Sequence, residues 1–145
     1  MTKNDLKQKV VELITRNKYS KLITVGLDGA PHGRMMTNLS IGKDMVIWFA
    51  TGLGTNKIKD IKKNPNVSVF VDDPDDQTNA SIIGKAEIVT NDRLRKKYWQ
   101  ERFSFYFPRG PADPGYCLLK ITPKKVEYLN PGPRFHPKVA REFSL

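Results

Sequence analysis

A glycine-rich turn from Thr51 to Lys57 carries the residue types best suited to binding an anion. A predicted strand ends at Ala50, and Thr55 is expected to cap a helix that carries Ile58 and Ile61 toward the core. The first turn of a helix has unpaired backbone N–H groups and a partial positive charge. Such a helix start is therefore a suitable site for a phosphate group.

Side chains of the same turn would also help to bind a phosphate group. Lys57 contributes a full positive charge, while Thr51, Thr55 and Asn56 contribute hydrogen-bond donors. The P-loop pattern is excluded because Lys57 is followed by Ile58, and the dinucleotide fingerprint is excluded because Lys57 stands at its third glycine. An ordinary capped strand-to-helix turn is equally consistent with these residues.

Arg34 is a second candidate anion ligand, because it lies in an otherwise apolar predicted strand. Strand alternation places Arg34, Met36 and Asn38 on one face. Burying a guanidinium group is costly unless an anion accompanies it. We expect this strand to pair with the following one, which would bring Arg34 toward the Thr51 turn. The alternative is an arginine at the sheet margin that extends to water.

The composition is typical of one globular domain, residues 1–145, that buries a core without disulfides or metal. Two histidines and one cysteine are too few for a metal cluster, so no metal site is predicted. The formal charge of +10 is compatible with a phosphorylated ligand or with nucleic acid. Because the basic residues are spread along the chain, nucleic-acid binding is the less favoured of the two.

The expected location is the cytoplasm. The amino-terminal segment is charged and amphipathic, unlike a secretory signal, and no apolar run reaches the roughly 18 residues of a membrane span. The single cysteine, Cys117, lies in an apolar predicted strand and is expected to be a small core residue in a reducing compartment.

Hydrophobic periodicity predicts a mainly β (α+β) fold: an antiparallel barrel of six to seven strands with flanking helices. Helices are predicted at residues 4–18, covering one barrel opening, after Thr55, and from Asn91 or Asp92 to about Tyr106. The first three strands are expected to form a meander, and residues 130–145 a basic carboxy-terminal tail. The predicted strands are residues 21–25, 32–40, 45–50, 66–72, 79–89, 116–121 and 125–129.

Two of these segments resemble motifs of the FMN-binding split-barrel family, the pyridoxamine 5'-phosphate oxidase-like flavoproteins. Arg34-Met35-Met36 is similar to the Arg-Met-x strand of that family, and the segment from Thr51 to Lys57 to its Thr-Asn-Leu-Gly-Ser-Arg-Lys turn. The likeness covers roughly residues 8–130 and extends to the run at residues 113–123. The length is closer to the short general-stress-protein branch of the family than to the oxidases.

The resemblance implies FMN as cofactor, although relatives that use a deazaflavin or haem leave those cofactors open. It implies that the FMN phosphate is bound by Arg34, Thr55, Asn56 and Lys57. It also implies contacts along the flavin and its ring from Met35, Met36, Thr37, Ala50, Thr51 and Asn79. Asn56 replaces an arginine of the family, which removes one charge from the phosphate site.

The same resemblance implies a homodimer with the flavin at the subunit interface. The interface would also use the predicted helix at residues 94–106, whose stripe of large residues comprises Leu94, Tyr98, Trp99, Phe103 and Phe105. Four residues resemble substrate ligands of the oxidases: Tyr98, Arg102, Arg134 and His136. Leu39 and Leu129, however, stand where the oxidases carry a substrate-binding lysine and a tryptophan.

The expected function is therefore that of an FMN-dependent oxidoreductase with a small-molecule substrate and no evident catalytic side chain. One alternative is a flavin-binding stress protein without turnover. The other is a small basic barrel that binds nucleic acid, for which aromatic residues should alternate with Lys and Arg on the strand surface.

Overall fold

A computed structural model describes residues 2–130 and 139–145 of the chain. Within them lie three α-helices, α1 (Lys3–Arg16), α2 (Asn56–Lys63) and α3 (Asp92–Lys97), and two short 3-10 helices, Glu101–Phe105 and Gly110–Ala112. The strands of the same residues are β1 (Tyr19–Val25), β2 (Pro31–Thr37), β3 (Ser40–Ile41), β4 (Ile47–Gly52), β5 (Asn66–Asp72), β6 (Asn79–Val89), β7 (Tyr116–Asn130) and β8 (Val139–Ser144).

All of these strands belong to one sheet, ordered β2-β1-β5-β6-β7-β4-β3, with β8 added to β7. Every strand pair is antiparallel. Alternate side chains face a common interior, as in β5, where Val67, Val69 and Val71 are buried. The predicted antiparallel split barrel is thus confirmed, although the described residues form eight strands rather than six or seven.

Helix α1 begins at a capping box formed by Thr2 and Asp5. The Asp5 N–H donates to Thr2 Oγ1 at 3.1 Å, and the Thr2 N–H donates to Asp5 Oδ2 at 2.9 Å. The apolar face of the helix is buried and includes Leu6, Val10, Leu13 and Ile14. Helix α1 packs against β3, at one end of the strand order, and against β5.

The predicted meander of the first three strands is wrong. In the described residues β2 pairs with β1 alone, whereas β4 pairs with β3 and β7. Directly after β2, the side chain of Asn38 binds the carboxy-terminal end of α1. Its amide donates to Ile14 O at 3.2 Å and to Asn17 O at 2.9 Å. The chain therefore crosses from one end of the strand order to the other between β2 and β3.

The two strands predicted at residues 116–121 and 125–129 are one continuous strand, β7. Its first part pairs with β4, its last part with β8, and β6 runs along its other edge. A shift of register between Ile83 and Gly84 accommodates Pro123, opposite Gly84. A Cβ atom at Gly84 would lie 2.4 Å from the carbonyl oxygen of Thr122, so only glycine fits this position.

Two other predictions along the chain need correction. The helix predicted to reach Tyr106 ends at Lys97, since Gln100 is extended and the next residues form a 3-10 helix. Trp, Phe, Tyr and Ser are weak helix formers, and here the aromatic rings of Trp99 and Phe103 pack against Tyr116 instead. The predicted tail contains a strand as well, because β8 pairs with β7.

Candidate functional site

A cleft of about 730 Å³ lies where the ends of β2 and β4 approach the start of α2. Its lining comes from the start of β1, the end of β2, the turn before α2 and the first 3-10 helix with the loop that follows. The lining residues are Lys18, Tyr19, Met35, Met36, Thr37, Leu39, Ala50, Thr51, Gly52, Thr55, Lys57, Arg102, Phe103, Tyr106 and Phe107.

The start of α2 has no side-chain cap. Thr55 occupies the N-cap position, but its hydroxyl donates to the carbonyl oxygen of Gly52 at 2.8 Å. This bond holds the turn closed, and it leaves the first N–H groups of α2 without a side-chain acceptor. Ile58 and Ile61 are buried, as expected, and fix the helix against the barrel.

Lys57 carries the positive charge nearest the start of α2, and Lys18 and Arg102 also line the cleft. The Nζ of Lys57 donates to Thr51 Oγ1 at 2.9 Å, and the side chain is half-buried. Among the ion pairs of the described residues, none involves Lys57. Burial, and to a smaller extent the charge of Arg34, hold the pKa of Lys57 below that of a free lysine. An anion at this position would therefore stabilise a charge that the protein itself does not neutralise.

Arg34 lies near α2, but its strand does not pair with the following strand as predicted. Its strand pairs with β1, and Arg34 Nη1 donates to Thr24 Oγ1 of β1 at 2.7 Å. Its Nη2 lies 3.6 Å from Asp60 Oδ2 on α2. Arg34 lines a neighbouring depression of about 330 Å³, together with Asn56 and Lys59. Thr55 and Lys57 line the cleft, whereas Asn56, between them in the sequence, lines the depression. The start of α2 therefore lies between the two spaces.

The opposite wall of the cleft is aromatic. Phe103 and Phe107 both lie against the buried ring of Tyr116, with ring centroids 6.1 Å and 5.3 Å away. Trp99 joins this cluster at 5.3 Å from Tyr116. Trp99 and Phe103, in the helix predicted to reach Tyr106, therefore serve in packing, whereas the ring of Tyr106 is largely exposed.

The structure brings most, though not all, of the predicted site residues together. Met35, Met36, Thr37, Ala50, Thr51, Thr55, Lys57 and Arg102 line the cleft. Arg34 and Asn56 line the adjoining depression. The remaining two described residues are Asn79, which donates to Gln77 O, and Tyr98, which stacks on Trp48, and neither lines these spaces. Arg134 and His136 lie outside the described residues.

Several residues at the site escaped the sequence analysis. Phe103 and Phe107 were not predicted as site residues, because the 3-10 helix at Glu101–Phe105 and the loop after it, which bring them to the cleft, were not predicted. Asp60 was overlooked, although its position between Ile58 and Ile61 on the buried helix face was a signal. Its carboxylate is 6% exposed and accepts a hydrogen bond from Thr24 Oγ1 at 2.7 Å.

We also searched the described residues for a metal site, a reactive thiol and a membrane-spanning helix. No group of three or more His, Cys, Asp or Glu side chains there is placed to hold a metal. Cys117 is a free, buried thiol, as expected, and burial raises its pKa to about 11. None of the helices in these ranges is long and apolar enough to cross a membrane.

Comparison with known proteins identifies relatives along nearly the whole chain. Residues 5–135 match the family described as pyridoxamine 5'-phosphate oxidase like. General stress protein 26 of Bacillus subtilis is 31% identical over 135 residues, which cover 91% of this chain and 94% of that protein.

Solved structures agree on the fold. A Clostridium acetobutylicum protein related to general stress protein 26 has a TM-score of 0.85 at 22% identity, over 99% of this chain and 97% of that one. A pyridoxamine 5'-phosphate oxidase-related, FMN-binding protein of Nostoc punctiforme has a TM-score of 0.70 at 17% identity, over 100% of this chain and 99% of that one. Since the family match spans most of the sequence, the chain belongs to the pyridoxamine 5'-phosphate oxidase-like family.

Proposed function

We propose that this protein binds FMN, with the phosphate at the start of α2 and the ring system in the cleft, and acts as a flavin-dependent oxidoreductase. The observation that carries the proposal is Lys57, a half-buried ammonium group without an ion pair among the described residues, beside a helix start with no side-chain cap. A phosphate dianion fits this set of donors in both charge and hydrogen-bonding type.

Around the phosphate, each donor has a defined task. Lys57 supplies the charge, the first N–H groups of α2 supply hydrogen bonds, and the hydroxyls of Thr51 and Thr55 lie within the same lining. Arg34 and Asn56 would approach from the adjoining depression. This arrangement supports retaining Arg34, Thr55, Asn56 and Lys57 as phosphate ligands, with the Thr51 hydroxyl nearby, although Asn56 offers a neutral amide where the resemblance implies an arginine.

The ring would lie along the edge strand β2. An edge strand has backbone N–H and C=O groups that no neighbouring strand occupies, and Met35, Met36 and Thr37 line the cleft from this edge. Ala50 lines the cleft from β4, and the rings of Phe103 and Phe107 supply an apolar part of the lining that would contact the flavin. Bound flavin would supply hydride or electron transfer, and these residues would hold and orient it.

The proposal includes a homodimer with a composite flavin site, in the cytoplasm. Phe105 and Tyr106 are 86% and 74% exposed, and Met35 and Tyr19 are exposed at the cleft. Such neighbouring apolar side chains are typical of a surface that another subunit covers. The buried free thiol of Cys117 fits a reducing compartment.

A flavin-binding protein without turnover is the alternative. It is favoured by one observation: among the described residues that line the cleft, there is no Asp, Glu, His or Cys to move a proton. Of the candidate substrate ligands in the described residues, only Arg102 lines the cleft, where its Nε donates to Gln100 Oε1 at 2.6 Å.

The test begins with the visible absorption spectrum of the purified protein, recorded before and after addition of FMN and removal of free flavin by filtration. A retained flavin band is expected, and no retained band would refute the assignment of the cleft. Anaerobic reduction by a nicotinamide nucleotide, followed by reoxidation with a small-molecule acceptor, then separates an oxidoreductase from a flavin-binding protein that does not turn over.

A further inference from the structure

Arg34 and Asp60 share a third residue, Thr24, at the side of the candidate phosphate site. Thr24 Oγ1 donates to Asp60 Oδ2 at 2.7 Å and accepts from Arg34 Nη1 at 2.7 Å. Asp60 lies on α2, Thr24 on β1 and Arg34 on β2. The three residues therefore connect the middle of α2 to the two strands beside it.

The two terminal nitrogens of Arg34, Nη1 and Nη2, differ in how many hydrogen bonds they make. Nη1 also donates to His32 O at 3.0 Å and, less closely, to Leu22 O at 3.4 Å, so this nitrogen is fully occupied. Nη2 lies 3.6 Å from Asp60 Oδ2, which is an ion-pair distance but long for a hydrogen bond. One edge of the guanidinium group is thus anchored to the barrel, while the other is held by charge attraction to Asp60.

The attraction to Arg34 also stabilises the buried carboxylate of Asp60. Its side chain is almost fully buried, and a buried carboxylate without a positive partner is costly. The Arg34 guanidinium is 24% exposed and lines the depression that begins at Asn56. A phosphate bound at the start of α2 would therefore meet a guanidinium that already has a carboxylate partner.

We propose that Asp60 is a positioning residue that competes with the FMN phosphate for Arg34 and so limits the affinity of the phosphate site. This inference rests on the proposed function. Asp60 holds Arg34 beside α2 when the site has no anion, and its negative charge offsets part of the attraction when an anion enters. The protein thereby avoids two unneutralised cations, Lys57 and Arg34, on adjoining elements, at the expense of weaker phosphate binding.

The test is Asp60→Asn, which removes the charge and keeps an oxygen to accept the Thr24 hydrogen bond. Riboflavin lacks the phosphate, so titrations of FMN and riboflavin, followed by flavin fluorescence, separate the phosphate site from the ring site. We expect the FMN dissociation constant to fall about fivefold, with that of riboflavin unchanged. Asp72→Asn is the matched control, since it removes one partly exposed carboxylate that pairs with Lys21, and it should change neither constant.

A double-mutant cycle tests whether Asp60 acts through Arg34. In the Arg34→Met background, Asp60→Asn should no longer improve FMN binding. No improvement in the single variant, or the same improvement in both backgrounds, would overturn the inference while FMN still binds. Failure of the unmodified protein to bind FMN would instead refute the proposed function.

A second measurement uses the unmodified protein and does not depend on a variant that folds. The ¹³C resonance of the Asp60 carboxylate should shift when FMN is added, because Arg34 turns partly toward the phosphate, and should not shift with riboflavin. A carboxylate resonance that responds equally to both flavins, or to neither, would show that Asp60 does not compete with the phosphate.

Discussion

The Lys57 ammonium group donates a 2.9 Å hydrogen bond to the hydroxyl of Thr51, which ties the first turn of α2 to the end of β4. The bond holds the lysine over the cleft, where it has no carboxylate partner among the described residues. A half-buried cation of this kind destabilises the protein without a ligand and strengthens the binding of an anion. Stability and affinity should therefore respond in opposite directions to its removal.

Lys57→Met should weaken FMN binding by about ten- to a hundredfold, since hydrogen bonds to charged groups contribute about 1.5–3 kcal/mol. The affinity for riboflavin should not change. Thermal unfolding of the protein without flavin should occur at the same or a higher temperature, because a partly desolvated charge is removed. Lys63→Met, on the exposed side of the last turn of α2, is the matched control and should leave FMN binding intact. Equal losses for the two flavins would contradict a phosphate contact.

The contribution of the phosphate to FMN binding should decrease at both high and low pH. Phosphate contact requires protonated Lys57, and burial followed by Arg34 lowers the pKa of Lys57 from its usual 10.5. The preference for FMN over riboflavin should thus decline as pH rises through this lowered pKa, before an ordinary lysine would lose its proton. It should also decline as pH falls through about 6, where the phosphate takes up a proton.

The ratio of the two dissociation constants is the quantity to measure, because ionisation of the flavin ring affects both ligands and cancels. Lys57→Met should abolish the alkaline limit and retain the acid one. An alkaline limit that persists in the variant would assign it to a group other than Lys57.

Local elements were predictable from the sequence because their signals are local. Strands β5 and β6 have the predicted bounds, since apolar residues alternate in both and the polar loop at residues 73–78 separates them. The turn before α2 was also placed correctly, with Thr55 at the N-cap position. Its hydroxyl nevertheless bonds Gly52 rather than the helix, a choice that depends on the fold of the turn.

Strand partners and aromatic contacts were not predictable in the same way. Periodicity assigns Arg34 to a face of β2 but does not say which strand lies beside it, and it does not reveal the contacts of Asn38 with the end of α1. The helix predicted beyond Lys97 failed because Tyr116, distant in sequence, binds the rings of Trp99 and Phe103. For the same reason, the aromatic wall of the cleft and the partnership of Asp60 with Arg34 emerge only in three dimensions.

Gly84→Ala should destabilise the barrel, because the new Cβ atom would lie 2.4 Å from the Thr122 carbonyl oxygen. Overpacking at such a fixed backbone contact costs about 1–3 kcal/mol, which lowers Tm by several degrees. Gly33→Ala is the control, since its Cβ would meet only Ile23 Cγ1 at an ordinary 3.7 Å. Urea unfolding of both variants measures their free energies of unfolding. Equal values would mean that β6 and β7 move apart at Gly84 without loss of stability.

The exposed aromatic pair Phe105 and Tyr106 provides the test of the proposed dimer. Their rings pack on each other at 5.1 Å yet remain largely exposed, directly beside the cleft residue Phe107. Replacing both by glutamate should produce a folded monomer in light-scattering measurements, because burying two carboxylates at an interface is costly. If the partner subunit completes the flavin site, the same variant should also lose FMN and riboflavin together, unlike Lys57→Met. Leu145→Glu changes an exposed apolar residue near β8 and should preserve the dimer. A monomeric native protein, or a dimer that survives the double substitution, would exclude this surface as the interface.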